Sequence, residues 1–140
     1  MRISVLALVV AASLAVSAQT VSDEMVKHAA QTVAHLHDSM LDPASFVLDA
    51  AYATKPDKHG AVSYCYEFRS HNRMGALSDG RAIEDGSDHG RLSVYNHPAE
   101  DGAWLGYDTG WVAPCKKKNI DREITAEVVA LAPLLYQKTK

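Results

Sequence analysis

Val62-Ser63-Tyr64-Cys65-Tyr66-Glu67-Phe68-Arg69 is the stretch that decides the fold. Val62, Tyr64, Tyr66 and Phe68 fall on one face and Ser63, Cys65, Glu67 and Arg69 on the other, the period of two that marks a half-buried strand. Immediately upstream, residues 45–54 repeat the pattern, with Phe46, Leu48, Ala50 and Tyr52 alternating against Val47, Asp49, Ala51 and Ala53. Lys55-Pro56-Asp57-Lys58-His59-Gly60 between them has turn composition, so the two strands are predicted to form an antiparallel hairpin. A face carrying four bulky apolar side chains needs a cover.

The cover lies further upstream. Ser22-Asp23-Glu24 offers an N-cap with acid in the first turn, and Val26, Ala29, Ala30, Val33, Leu36 and Met40 recur at three- and four-residue spacing. This predicts an amphipathic helix over residues 23–41, with Lys27, Gln31, His35 and Asp38 on its solvent face. Asp42-Pro43 ends it, because a proline ring disfavours the helical conformation at the residue before it. Downstream, residues 71–80 read as a connection, and residues 81–84 pair with 91–95 across Asp85-Gly86-Ser87-Asp88-His89-Gly90. Residues 96–115, with their prolines and glycines, read as an irregular loop anchored by Trp104, Leu105, Tyr107 and Trp111. A last helix is capped by Asp121 or Thr125, turns Ile124, Val128, Leu131 and Leu135 inward, and kinks or ends at Pro133. The expected fold class is α+β, with N-terminal and C-terminal helices packed on an antiparallel sheet of about four strands and one disulfide.

With 140 residues, 47% hydrophobic and 22% charged, the chain has the composition of one globular domain rather than a disordered or fibrous protein. Its formal charge of −3 argues against nucleic acid as a partner, and Lys116-Lys117-Lys118 reads as a solvated turn. Met1-Arg2, the apolar run from Ile3 to Val16 and the small residues around Ser17-Ala18 have the form of a secretory signal peptide cut after Ala18. Residues 19–140 would then be one small exported domain, periplasmic or secreted, with no membrane span. In an oxidising compartment Cys65 and Cys115 are expected to form a disulfide.

The helix end followed by Asp42-Pro43-Ala44-Ser45-Phe46, and then Tyr64-Cys65-Tyr66-Glu67-Phe68-Arg69-Ser70-His71-Asn72-Arg73-Met74-Gly75, resembles uncharacterised small exported bacterial proteins. In those an Asp-Pro-x-Ser strand opening is followed by a strand with a Cys, an Asn a few residues on, and a glycine pair, where this chain has Gly75-Ala76. The resemblance carries no functional residue. Physically, Pro43 stops the helix, Ser45 can satisfy backbone at the strand start, and Asn72 and Gly75 suit left-handed turn geometry.

Four groups of residues compete for a functional role. Arg69, His71, Asn72 and Arg73 sit where the second strand gives way to its loop, and together they can form an anion or carboxylate pocket. Trp104, Tyr107 and Trp111 can present rings to a sugar or peptide, or fill the underside of their loop. His35-Leu36-His37-Asp38 has the composition of a metal site, but residues two apart on a helix point away from one another. Residues 85–96 resemble a calcium loop whose last position is Asn96 instead of the bidentate Glu, so a polar hairpin turn accounts for them better. No nucleophile–base pair or cofactor motif emerges. The expectation is a non-enzymatic exported protein binding another protein or a cell-envelope component. The alternatives are a small hydrolase or metal-dependent enzyme using His71 or His35/His37, and an inhibitor of a foreign enzyme acting through the Trp104–Trp111 loop.

Overall fold

The computed structural model describes residues 5–95 and 114–137, with side chains over 22–94 and 114–137. The Trp104–Trp111 loop lies outside the described residues. Helix α1 (Val5–Ser39) is followed by a single 3-10 turn (Pro43–Ser45) and strands β1 (Val47–Thr54), β2 (Tyr64–His71), β3 (Leu77–Asp85) and β4 (Arg91–Tyr95). Strand β5 (Ile120–Glu123) and helix α2 (Thr125–Leu131) complete the α+β fold, and α2 passes into a 3-10 turn (Ala132–Leu135). Among the described residues the sheet has five antiparallel strands in the order β4-β3-β2-β1-β5.

Central strand β2 carries the packing as its alternation predicts. Tyr66 and Phe68 are fully buried against α1, whose Ala29, Ala30, Val33 and Leu36 are fully buried in return. The helix stripe and the β1 residues Ala51 and Ala53 are small or branched, which lets helix and sheet approach closely while the aromatic rings of β2 fill the space between them. Ile124, Val128 and Ala132 close the side of this core. A smaller cluster of Cys65 and Ile83, with Tyr52, Cys115 and Ile120 packed on it, forms on the other face of the sheet. The Cys65–Cys115 disulfide joins it across a Cα separation of 6.0 Å.

Several local expectations are corrected. Helix α1 begins at Val5 rather than at Asp23, because the Ala-, Val- and Leu-rich run ahead of Asp23 is itself helix-forming. Ser22 therefore lies inside the helix, and its hydroxyl accepts from the Arg122 guanidinium instead of capping. The unbroken alternation from Phe46 to Tyr52 does not hold, since a bulge shifts the register between Leu48 and Ala50. Phe46 and Leu48 pack on the helix-side core, whereas Tyr52 joins the disulfide cluster on the opposite face. Strand β3 starts at Leu77, so the predicted connection over 71–80 is mostly a hairpin, with His71 opposite Leu77. Asp121 lies in β5 and Ile124 takes the N-cap position of α2 without a side-chain cap. Thr125 is not a cap either, as its hydroxyl accepts from the Ala51 backbone N–H at 3.0 Å. Pro133 tightens the chain into the 3-10 turn, which buries Ala132 and leaves Leu135 exposed.

The C-terminal turn is fastened to the end of α1. Tyr136 stacks on His37 with ring centroids 3.6 Å apart, Phe46 meets the same imidazole edge-on, and the Gln137 N–H donates to the Asp38 carboxylate at 3.2 Å. His37 Nδ1 lies 2.7 Å from Asp38 Oδ1. That hydrogen bond, aided by the one from Gln137, holds the Asp38 carboxyl below its ordinary value of 3.8 despite partial burial. A depressed carboxyl contributes stability above its unfolded value and loses it as pH falls through the folded one. Melting temperature should therefore drop more steeply on acidification below about pH 4 in the wild type than in Asp38→Asn. Parallel pH profiles would refute the contribution.

Candidate functional site

At the end of the sheet where β2 turns into β3, a groove of about 490 Å³ opens beside the C-terminal end of α1. Phe68 lies at its base, Met40, Leu41 and Met74 supply apolar walls, and His71, Asn72 and Arg73 supply the polar end. Gly80 permits this floor: a Cβ there would lie 2.4 Å from Phe68 Cε2, so any side chain would displace the ring. Met74 and Leu41 are 92% and 67% exposed, an arrangement that leaves flexible apolar side chains at the mouth of the groove.

The turn after α1 positions His71. Ser45 Oγ donates to the Asp42 carbonyl oxygen at 2.7 Å and accepts the His71 backbone N–H at 2.8 Å, while Asp42 Oδ2 lies 2.8 Å from His71 Nδ1. Asp42-Pro43-Ala44-Ser45 therefore grips both the backbone and the ring of His71, which joins two motifs that stand far apart in the sequence. Ser45 does satisfy backbone, both at the Asp42 carbonyl in the turn leading into β1 and at the N–H that ends β2. Asn72 does not adopt the left-handed conformation expected of it; His89 is the non-glycine residue with positive φ among those described. Asn72 acts through its side chain, whose Oδ1 accepts from Met74 N–H at 2.9 Å and Ala76 N–H at 3.1 Å, and Gly75 takes the positive φ of 75°.

Three of the four residues proposed from the strand end thus line one groove, and Arg69 does not. It is bonded to Asp49 at the β1 bulge, with Nε and Nη2 donating to the carboxylate over 2.7–3.0 Å. That pair, Asp49 first, raises the hold of Arg69 on its proton. The other groups also resolve. His35 is exposed on α1, whereas His37 is stacked on Tyr136, so the two do not converge. Among the described residues no group of three or more His, Cys, Asp and Glu side chains is placed to hold a metal ion. Asp85 of the calcium-like loop accepts from Ser87 N–H and Ser87 Oγ at 2.9 and 2.7 Å, bonds that build a hairpin turn. Trp104, Tyr107 and Trp111 lie outside the described residues.

The pocket expected at the strand end omitted the apolar half of the groove. Met40, Leu41 and Met74 carry no pattern that separates them from helix-end and turn residues, and only the hairpin brings them beside Phe68. No protein-family model, no curated protein and no solved structure matches the chain.

Proposed function

We propose that this chain is a non-enzymatic protein exported to the bacterial periplasm or cell exterior, where it binds another protein or a cell-envelope component through the groove beside His71. The observation that carries the reading is the groove itself, with exposed Leu41 and Met74 flanking a polar end of His71, Asn72 and Arg73. Sites of this size with apolar walls and a few convergent polar groups are the usual form of ligand pockets. Export is supported by the apolar leader ending at Ala18 and by the resemblance to small exported bacterial proteins. The Cys65–Cys115 disulfide, and a chain in which no described helix is long and apolar enough to cross a membrane, are compatible with it.

One observation favours the hydrolase alternative: Asp42 orients His71 as the third member of a triad orients its base. The hydroxyls lining the groove are engaged elsewhere, Ser39 donating to the Leu36 carbonyl, Ser70 to Met40 Sδ and Ser78 to the Ser70 carbonyl. None of these bonds connects a nucleophile to His71.

The test is affinity capture from envelope extract with the mature protein and with a Leu41→Asp, Met74→Asp double variant. Both side chains are exposed, so the variant should keep its melting temperature and lose the captured partner at least tenfold. Undiminished capture by the variant would remove the groove from the reading.

A further inference from the structure

The polar end of the groove has a fixed pattern of hydrogen-bond donors and acceptors. A carboxylate only accepts, so the 2.8 Å contact from Asp42 Oδ2 places the His71 proton on Nδ1. Nε2 of the neutral ring is then an acceptor, and it makes no hydrogen bond among the described residues. Asn72 is fixed the other way. Its side-chain oxygen is used by two backbone N–H groups, which leaves the two Nδ2 hydrogens to donate. Arg73 adds a guanidinium that has no ion pair or hydrogen bond among the described residues. The groove therefore sets acceptors, His71 Nε2 and the Asp79 carboxylate, beside several donors, next to an apolar hollow over Phe68.

That complement discriminates between ligand classes. A carboxylate or phosphate would satisfy Asn72 and Arg73 but face the lone pair of His71 Nε2, and it would also meet Asp79, which lines the groove from β3. An ammonium group would satisfy Nε2 and Asp79, but it would leave the Asn72 amide without an acceptor and be repelled by Arg73. A backbone amide carries one N–H and one C=O on adjacent atoms, and it alone among these groups satisfies both kinds of partner without a net charge. Resting on the reading of the groove as the binding site, we propose that its occupant is a peptide segment. An apolar side chain lies over Phe68, the backbone N–H donates to His71 Nε2, and the backbone C=O accepts from Asn72 Nδ2 or Arg73. Asp42 is a positioning residue in this scheme, since it sets the tautomer without touching the peptide.

The experiment uses the disulfide-bonded mature protein and three probes: N-acetyl-Phe-Leu-amide, the same peptide with its backbone nitrogens methylated, and 3-phenylpropionate. At neutral pH the ¹⁵N spectrum of His71 should show the Nδ1–H tautomer, and N-acetyl-Phe-Leu-amide should bind saturably and move the Nε2 resonance. The methylated peptide and the carboxylate should each bind at least tenfold more weakly, about 1.4 kcal/mol. An Nε2–H tautomer at neutral pH, equal binding of the methylated peptide, or no saturable response to the blocked peptide would each overturn the proposal. If the blocked peptide fails while the Leu41→Asp, Met74→Asp variant still loses its captured partner, the peptide class is wrong and the groove remains the docking place. If the variant captures normally, the groove itself is wrong.

Discussion

A Cys65→Ala, Cys115→Ala double variant is expected to lose about 4 kcal/mol of stability, the entropy of closing a loop of this length in the unfolded chain. The bond spans 50 positions, and the chain between its ends supplies β3 and β4, so its loss frees the unfolded state of a constraint on nearly half the sheet. The native state loses something as well. Cys65 is fully buried, and with Ile83, Tyr52, Cys115 and Ile120 it makes up the small apolar cluster on the sheet face away from α1. Net stabilities of small domains are about 5–15 kcal/mol, so this one bond is comparable to a large share of the total. Thermal melts of the oxidised wild type and the double variant should differ by roughly 15 °C. A difference within a few degrees would mean that the helix-side core holds the sheet by itself and that the staple is dispensable.

How much of this could be read in the sequence depends on how much information each segment's side chains carry. In β2 the alternation of large aromatics against Ser, Cys, Glu and Arg is unambiguous, and the strand, its buried face and its place at the centre all follow. In β1 the alternating positions are mostly alanine, and alanine suits either face. The bulge at Asp49 therefore left no trace in the pattern, yet it moves Tyr52 to the opposite side of the sheet from Phe46. Strands β3 and β5 were missed in part or whole because Ser78, Asp79 and Gly80, and Asp121 to Glu123, have turn or surface composition and pair only because a neighbouring strand offers its edge. At the candidate site, the run from Arg69 to Arg73 stood out as chemistry-bearing. The period of two puts Arg69 and His71 on the same side of β2, so the pattern offers no reason to separate them; the Asp49 carboxylate at the β1 bulge draws Arg69 away. The Asp42–His71 contact, across 29 positions, has no local signal at all.

The same is true of the contact that should give the second large effect. Glu84 is a β3 carboxylate with a side chain only 9% exposed, placed under α1. Its Oε1 lies 2.5 Å from His28 Nε2 and its Oε2 accepts from Thr32 Oγ1 at 2.8 Å. His28 and Thr32 stand one helical turn apart and take one oxygen each. The wholly buried hydroxyl of Tyr66 sits beside Thr32 and Glu84 without a well-formed hydrogen bond of its own, and burial first, then the Glu84 charge, pushes it far up. Removing His28, whose side chain is 49% exposed, leaves the nearly buried carboxylate with a single protein donor, so His28→Ala should cost about 2 kcal/mol, the range for orphaning one side of a buried hydrogen bond. Replacing both partners is a different case. In a His28→Ala, Glu84→Leu double variant no charge remains to be solvated, and the Thr32 hydroxyl can turn to a carbonyl of its own helix. The double variant should then be more stable than His28→Ala alone, a coupling of at least 1 kcal/mol by the double-mutant cycle. Urea unfolding of the four proteins measures it. Costs that simply add would show that Glu84 is solvated without His28, and that the pair fastens nothing between α1 and the sheet.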